Sequence, residues 1–316
     1  MRAYFSSIDF LRGLAALMVA FFHFTHHHSI HGTLLDENDI VYQIGHFGQY
    51  GVHLFFVFSG FVIPYSMVKY NYSIEKIGSF LLKRITRIEP PYLLSILWVI
   101  VSSIAFSIYL GQDVIIEWKR ILLHLGYLVP FSSEHWFNEV YWTLAIEFQY
   151  YLFIALSFSL FFHKKELIRT LALGAMALFP FLGYEGFLVA YTPIFGLGIV
   201  GALVQLNKIK RSSFFFWVIV FFSSILYFKG GIIASITLVT LLIIVAMHIK
   251  TKGTDFLGKI SYSVYLTHGE LGGRLIYFLI PFCVASTFQS YLLLVGAILF
   301  SIFGAWVFYL VIEKPS

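Results

Sequence analysis

The chain has 316 residues, of which 59% are hydrophobic and only 12% charged, with a mean hydropathy of +0.84. A soluble domain carries about a quarter charged residues, so this composition excludes one. One cysteine, Cys283, excludes an internal disulfide and a cysteine-based metal framework.

Apolar runs of about twenty residues recur along the chain, each long enough to cross the hydrocarbon core as a helix. Ten such runs fall near 8–25, 50–68, 90–110, 139–162, 167–183, 187–206, 213–228, 231–249, 260–280 and 290–312. Alternating ten-residue strands are missing, which argues against a β-barrel. The sequence therefore predicts an all-α polytopic integral membrane protein of about ten transmembrane helices, forming a single domain over 1–316.

The first span carries Asp9, Arg12 and His23. A helix turns about 100° and rises about 1.5 Å per residue, so eleven residues return His23 to within about 20° of Arg12, roughly 16 Å along the axis. Two ionisable groups on one face of a spanning helix point to a bundle interior or a wet cavity, and so to a working site. Asp9 and Arg12 also interrupt the run, and no small-residue cleavage site follows, so it is not a removable signal peptide. Beyond it lie His26, His27, His28 and His31. Adjacent loop histidines with no carboxylate or cysteine at a telling spacing give no defined geometry, so no metal is expected.

The second span contains Ser59-Gly60, which permits close helix approach in a bilayer. The following loop places Ile74, Ile77, Phe80, Leu81, Arg84 and Ile88 on one helical stripe, predicting an amphipathic helix on the inner surface. Arg84 and Arg87 are neighbours there. Their guanidinium forks suit either the phosphates of a cytosolic ligand or anionic lipid.

The fourth span opens at Glu139 and buries Glu147 roughly two turns deep. Glu147 either orients a histidine, as carboxylates do in catalytic triads, or belongs to a structural ion pair. In the ninth, Ser261, Tyr265 and His268 follow an i, i+4, i+7 stripe, readable as a polar cavity wall or as ordinary interfacial side chains.

Sixteen of the 21 Lys and Arg residues, including Arg2, Lys69, Lys83, Arg84, Arg87, Lys164, Lys210 and Lys250, fall on one side if the N-terminus is inside. Only Lys119, Arg120 and Lys229 fall in the opposite loops. This bias predicts both termini in the cytoplasm, so the net charge of +5 reports topology and not nucleic-acid binding. No internal repeat of the transporter type is visible.

These segments together resemble the membrane-bound acyltransferase family 3, the O-acyltransferase 3 family. The matching residues are Asp9-x-Leu11-Arg12-Gly13 with His23 after ten more; Gly51-Val52-x-Leu54-Phe55-Phe56-Val57-x-Ser59-Gly60-Phe61; and Arg84-x-x-Arg87-Ile88-x-Pro90-x-Tyr92. Trp142-Thr143-Leu144-x-Ile146-Glu147, Ser261-Tyr262-Ser263-x-Tyr265-Leu266-x-His268 and a closing Glu313-Lys314-Pro315 complete the set, in order, over nearly the whole chain. With no fused extracytoplasmic domain, the chain is expected to be a stand-alone member. His53 stands where the family tolerates many residues and is given no role.

The resemblance implies transfer of an acyl group, usually acetyl, from coenzyme A to a hydroxyl of a cell-surface glycan or lipid-linked sugar, in a bacterial cytoplasmic (inner) membrane. It assigns catalysis to His23, Glu147 and Arg12, and donor binding to Arg12, Arg84 and Arg87. Asp9, Ser59, Trp142, Tyr265 and His268 stand in the same motifs and are expected to line the substrate cavity. Acetyl-CoA is the co-substrate, with no metal; lipid and a carbohydrate acceptor are the partners. His23 acts as general base or is transiently acylated. A proton-coupled transporter is the alternative, since buried His, Arg and Glu also suit proton relays; coenzyme A dependence separates the two.

Overall fold

The computed structural model describes residues 3–29, 32–114, 116–183, 186–247, 249, 251–283 and 286–315. Arg2, His31 and Lys250, used above, lie outside the described residues. The protein is an all-α membrane protein, with one short antiparallel pair, β1 (His28–Ser29) and β2 (Gly32–Thr33). The helices are α1 (Ala3–Thr25), α2 (Ile40–His46), α3 (Gly51–Lys69), α4 (Ile77–Tyr109), α5 (Trp118–Leu125), α6 (Tyr141–Phe161) and α7 (Glu166–Leu178). They continue with α8 (Thr192–Gln205), α9 (Arg211–Lys229), α10 (Gly231–Ala246), α11 (Lys252–His268), α12 (Arg274–Cys283) and α13 (Thr287–Phe308).

Among the described residues six helical stretches are individually long and apolar enough to cross a membrane: Ser7–Thr25, Ile40–Lys69, Ile74–Tyr109, Tyr141–Phe161, Arg211–Lys229 and Thr287–Glu313. The other four expected runs are helical but shorter or broken. The run at 167–183 becomes the 13-residue α7 and a 3₁₀ turn, Phe179–Leu182. Pro180 enters that turn without an amide donor, and Gly183 closes it at φ +71°. The run at 260–280 is divided by a π-helical turn, Gly269–Gly273, between α11 and α12.

The expected surface helix and third span differ from prediction. After a 3₁₀ turn at Ile74–Lys76, α4 runs unbroken for 33 residues through Pro90 and Pro91. Two prolines remove two intrahelical donors, which is why the sequence reads as two elements. The predicted stripe survives: Ile77, Phe80, Leu81, Arg84 and Ile88 are half-buried, and only Ile74 is exposed.

The chain divides into two compact units. The first comprises Met1–Arg12, Val52–Arg84 and Trp142–Asp255. Its centre is α8, apolar all round and buried from Thr192 to Leu203, with α7, α9 and α10 packed on it. Gly60 of α3 meets α8 backbone to backbone, and a Cβ there would run into the Phe195 carbonyl, so small residues set this crossing. The second comprises Gly13–Gly51, Ile85–Tyr141 and Phe256–Ser316. In it α13 packs on α12 and on the π-helical turn, and the Asp39 side chain both caps α2 at Val41 and accepts the Tyr291 hydroxyl at 2.9 Å.

Candidate active site

In the second unit the His23 ring lies 5.2 Å from the ring of His268, tilted by 41°. Phe22 meets His23, and Phe24 meets His268, both edge to face. His268 is 1% exposed. Its Nδ1 is 3.0 Å from the Val264 carbonyl, which only accepts, so Nδ1 carries a proton. The Glu139 carboxylate reaches His23 Nδ1 at 3.9 Å, an ion-pair separation beyond hydrogen-bond range.

Two bonds tie the segment bearing Glu139 to α11. Asn138 donates to the Leu266 carbonyl at 3.4 Å, and the Tyr265 hydroxyl donates to the Val140 carbonyl at 3.1 Å. Tyr265 therefore shapes this site through the Val140 carbonyl next to Glu139. Before that segment, Arg120 donates to the carbonyls of His135 and Trp136 at 2.7 and 2.8 Å and covers the Phe137 ring. His124, fully buried, donates from Nδ1 to the Arg120 carbonyl at 2.8 Å and accepts the Phe137 amide at Nε2, 2.9 Å.

The bond from the Phe137 amide to Nε2 needs the neutral ring, and burial pushes the His124 pKa below the usual 6.5, with the Arg120 charge lowering it further. A depressed histidine pKa means the unfolded chain takes up the proton first. The anchor is thus fully effective above about pH 6.5 and weakens as pH falls below it. Hydrogen exchange at the Phe137 amide, corrected for its intrinsic pH dependence, is expected to speed up on acidification through that range. A flat corrected rate would show that His124 does not hold the loop.

In the first unit, Glu147 Oε1 accepts the Ser59 hydroxyl at 3.1 Å and the Tyr151 hydroxyl at 2.5 Å. Glu147 and Tyr151 are one turn apart on α6, hence on one face. The Arg84 guanidinium lies over the rings of Tyr151 and Phe80, at 5.8 and 5.4 Å from their centroids. Its hydrogen bond to Ser66 Oγ is 3.4 Å long. Arg84, Tyr151, Glu147 and Ser59 thus form one chain of contacts from α4 through α6 to α3. Trp142, at the start of α6, packs edge to face on Phe56 and against Tyr191.

Of the predicted site residues, the structure brings Arg84, Glu147 and Ser59 together in one unit, and His23, His268 and Tyr265 together in the other. Asp9 and Arg12 are half-buried, three residues apart on α1, the same unbroken helix that carries His23. Arg87 is exposed on α4. Glu139 and Tyr151 were not predicted. Tyr151 had a signal in its spacing from Glu147, whereas Glu139 is 87% exposed and reaches His23 only through the folded loop. Of the outer histidines, His26 lies against the Tyr42 ring at 3.9 Å, tilted by 30°, and bonds to the Phe22 carbonyl. Among the described residues no three metal-ligating side chains converge.

Residues 5–310 match the model of a family described as the acyltransferase domain. O-acetyltransferase OatA of Staphylococcus aureus is 28% identical over 158 residues, in strains NCTC 8325 / PS 47 and COL alike. That match takes in 43% of this chain, which spans only about a quarter (26%) of the length of OatA. The ORF330 protein of Acidianus two-tailed virus, which bears an acetyltransferase name, is 30% identical over 284 residues, covering 82% of this chain and 80% of its own length. No solved structure matches.

Proposed function

Because this chain belongs to the acyltransferase-domain family, we propose that it is an integral membrane O-acetyltransferase that moves acetyl from acetyl-CoA to a hydroxyl of a cell-surface glycan or lipid-linked sugar. The observation that carries the reading is a half-buried imidazole, His23, set between a carboxylate, Glu139, and a second, buried imidazole, His268. His23 takes the proton of the acceptor hydroxyl as its oxygen attacks the thioester carbonyl. The tetrahedral adduct collapses, breaking the C–S bond, and the departing thiolate recovers that proton from His23. Glu139 stabilises the imidazolium in between.

The donor's phosphates are assigned to Arg84, Arg87 and Arg12. Arg84 supports this: among the described residues its guanidinium engages two rings and one long hydrogen bond, which leaves most of its five donors for a ligand. The positive-inside bias supports putting these arginines and both termini at the cytoplasmic face, where coenzyme A is found, and on this reading the protein belongs in a bacterial cytoplasmic membrane.

Acetyl-CoA binding to the full chain in lipid nanodiscs tests the assignment. The Arg84→Ala, Arg87→Ala double variant should bind at least tenfold more weakly, and Lys at both positions should restore only part, since it lacks the bidentate fork. Unchanged affinity would return the pair to lipid anchoring. No binding by the unaltered protein would favour a transporter.

A further inference from the structure

Glu270 and Arg274 are two charged residues in an apolar helical segment that the proton chemistry above does not use, and such groups are costly in a membrane. Glu270 sits in the π-helical turn Gly269–Gly273 that directly follows His268. Its Oε2 accepts the Ser102 hydroxyl at 2.5 Å and the Arg274 Nε–H at 3.3 Å. Arg274 also donates to Ser102 Oγ at 3.4 Å and lies over the Phe106 ring at 5.3 Å. The triad therefore fastens the turn to α4.

On its other side the turn is pressed against α1 and α13. A Cβ on Gly272 would collide with the Phe24 ring and with Ser301, so the turn fits there only because this residue is glycine. Phe24 in turn touches the His268 ring. Residues 268 and 270 leave the helix on roughly opposite faces. A pull on Glu270 from α4 is thus a strut behind His268. Isolated π turns recur at functional sites because they re-aim the side chains beside them.

We propose that Ser102, Glu270 and Arg274 are positioning residues that lock the π-helical turn and so hold the His268 imidazole against His23. The proposal rests on the reading of His23 as the proton acceptor. A latch of this kind acts on turnover and leaves donor binding alone. A purely structural ion pair acts on folding alone, and exchanging such a pair for apolar residues of similar size is often neutral or stabilising.

The test measures transfer from radiolabelled acetyl-CoA into native membranes, per folded full-length protein, for Glu270→Leu with Arg274→Leu, for Ser102→Ala, and for His23→Ala. The double variant is expected to lose tenfold or more in kcat with KM for acetyl-CoA unchanged, and Ser102→Ala about threefold or more. Glu270→Gln, which keeps an acceptor for Ser102, should recover part of the loss. If the double variant fails to fold, Ser102→Ala decides, because it leaves the ion pair in place. Wild-type kcat in a folded double variant, or in Ser102→Ala, would overturn the latch. In that case an inactive His23→Ala leaves the general-base reading standing, and an active one overturns that reading instead.

Discussion

His23→Ala is expected to abolish acetyl transfer while the protein still inserts and folds. Loss of a general base costs on the order of 10² to 10⁴ in rate. His23 is a suitable place for so large an effect because, among the described residues, no hydrogen bond occupies its ring nitrogens. Glu139 stands by Nδ1 at 3.9 Å, and Phe22 flanks the ring. His23→Gln keeps size and hydrogen bonding without basicity and should be equally inactive. Glu139→Gln should do far less: an ion pair this exposed is worth at most about 1 kcal/mol, or roughly fivefold. Transfer at near wild-type rate by folded His23→Ala would remove the residue from the chemistry. A covalent acetyl group on His23, detected by mass spectrometry after mixing with donor alone, would replace the general-base step with an acyl-histidine.

Much of this arrangement was legible because helical period is written into sequence. The stripe Ser261, Tyr265, His268 is buried throughout, which the spacing alone left open. Its members do different things, however. Ser261 bonds back to the Gly258 carbonyl, Tyr265 reaches across to Val140, and only His268 meets His23. Period tells which face a residue occupies, not which partner waits there. The stripe from Ile77 to Ile88 was legible for the same reason, although Pro90 and Pro91 hid its continuity with the span that follows.

Glu139 illustrates what periodicity misses. Nothing in its neighbourhood of the chain marks it, since its place beside His23 depends on a loop held by Arg120, His124, Asn138 and Tyr265. Each of those bonds joins residues distant in sequence or sits in irregular backbone, where side-chain pattern carries no period. The breaks in the apolar runs were hidden for a different reason. Hydropathy reports that 167–183 can sit in lipid, while Pro180 and Gly183 decide where its helix stops.

Glu147→Gln carries the other large effect. The sequence left open whether Glu147 serves a histidine or a structural ion pair, and its observed partners, Ser59 and Tyr151, are neutral hydroxyls. A glutamine oxygen accepts both bonds, so the substitution keeps the local hydrogen bonding and removes only the charge. If the charge serves the reaction, by balancing the Arg84 side of the donor site or by orienting it, insertion should survive and turnover should fall by on the order of 10² or more. If Glu147 is scaffold, the neutral variant satisfies the same donors and turnover per folded molecule should stay near wild type. Glu147→Ala removes the acceptor of both hydroxyl hydrogen bonds, each made to a charged group and worth about 1.5–3 kcal/mol, and should lower folded yield under either reading. Measuring folded protein and transfer on the same membranes therefore separates the two. A Gln variant with full turnover beside a poorly folded Ala variant would confine the chemistry to His23 and its neighbours.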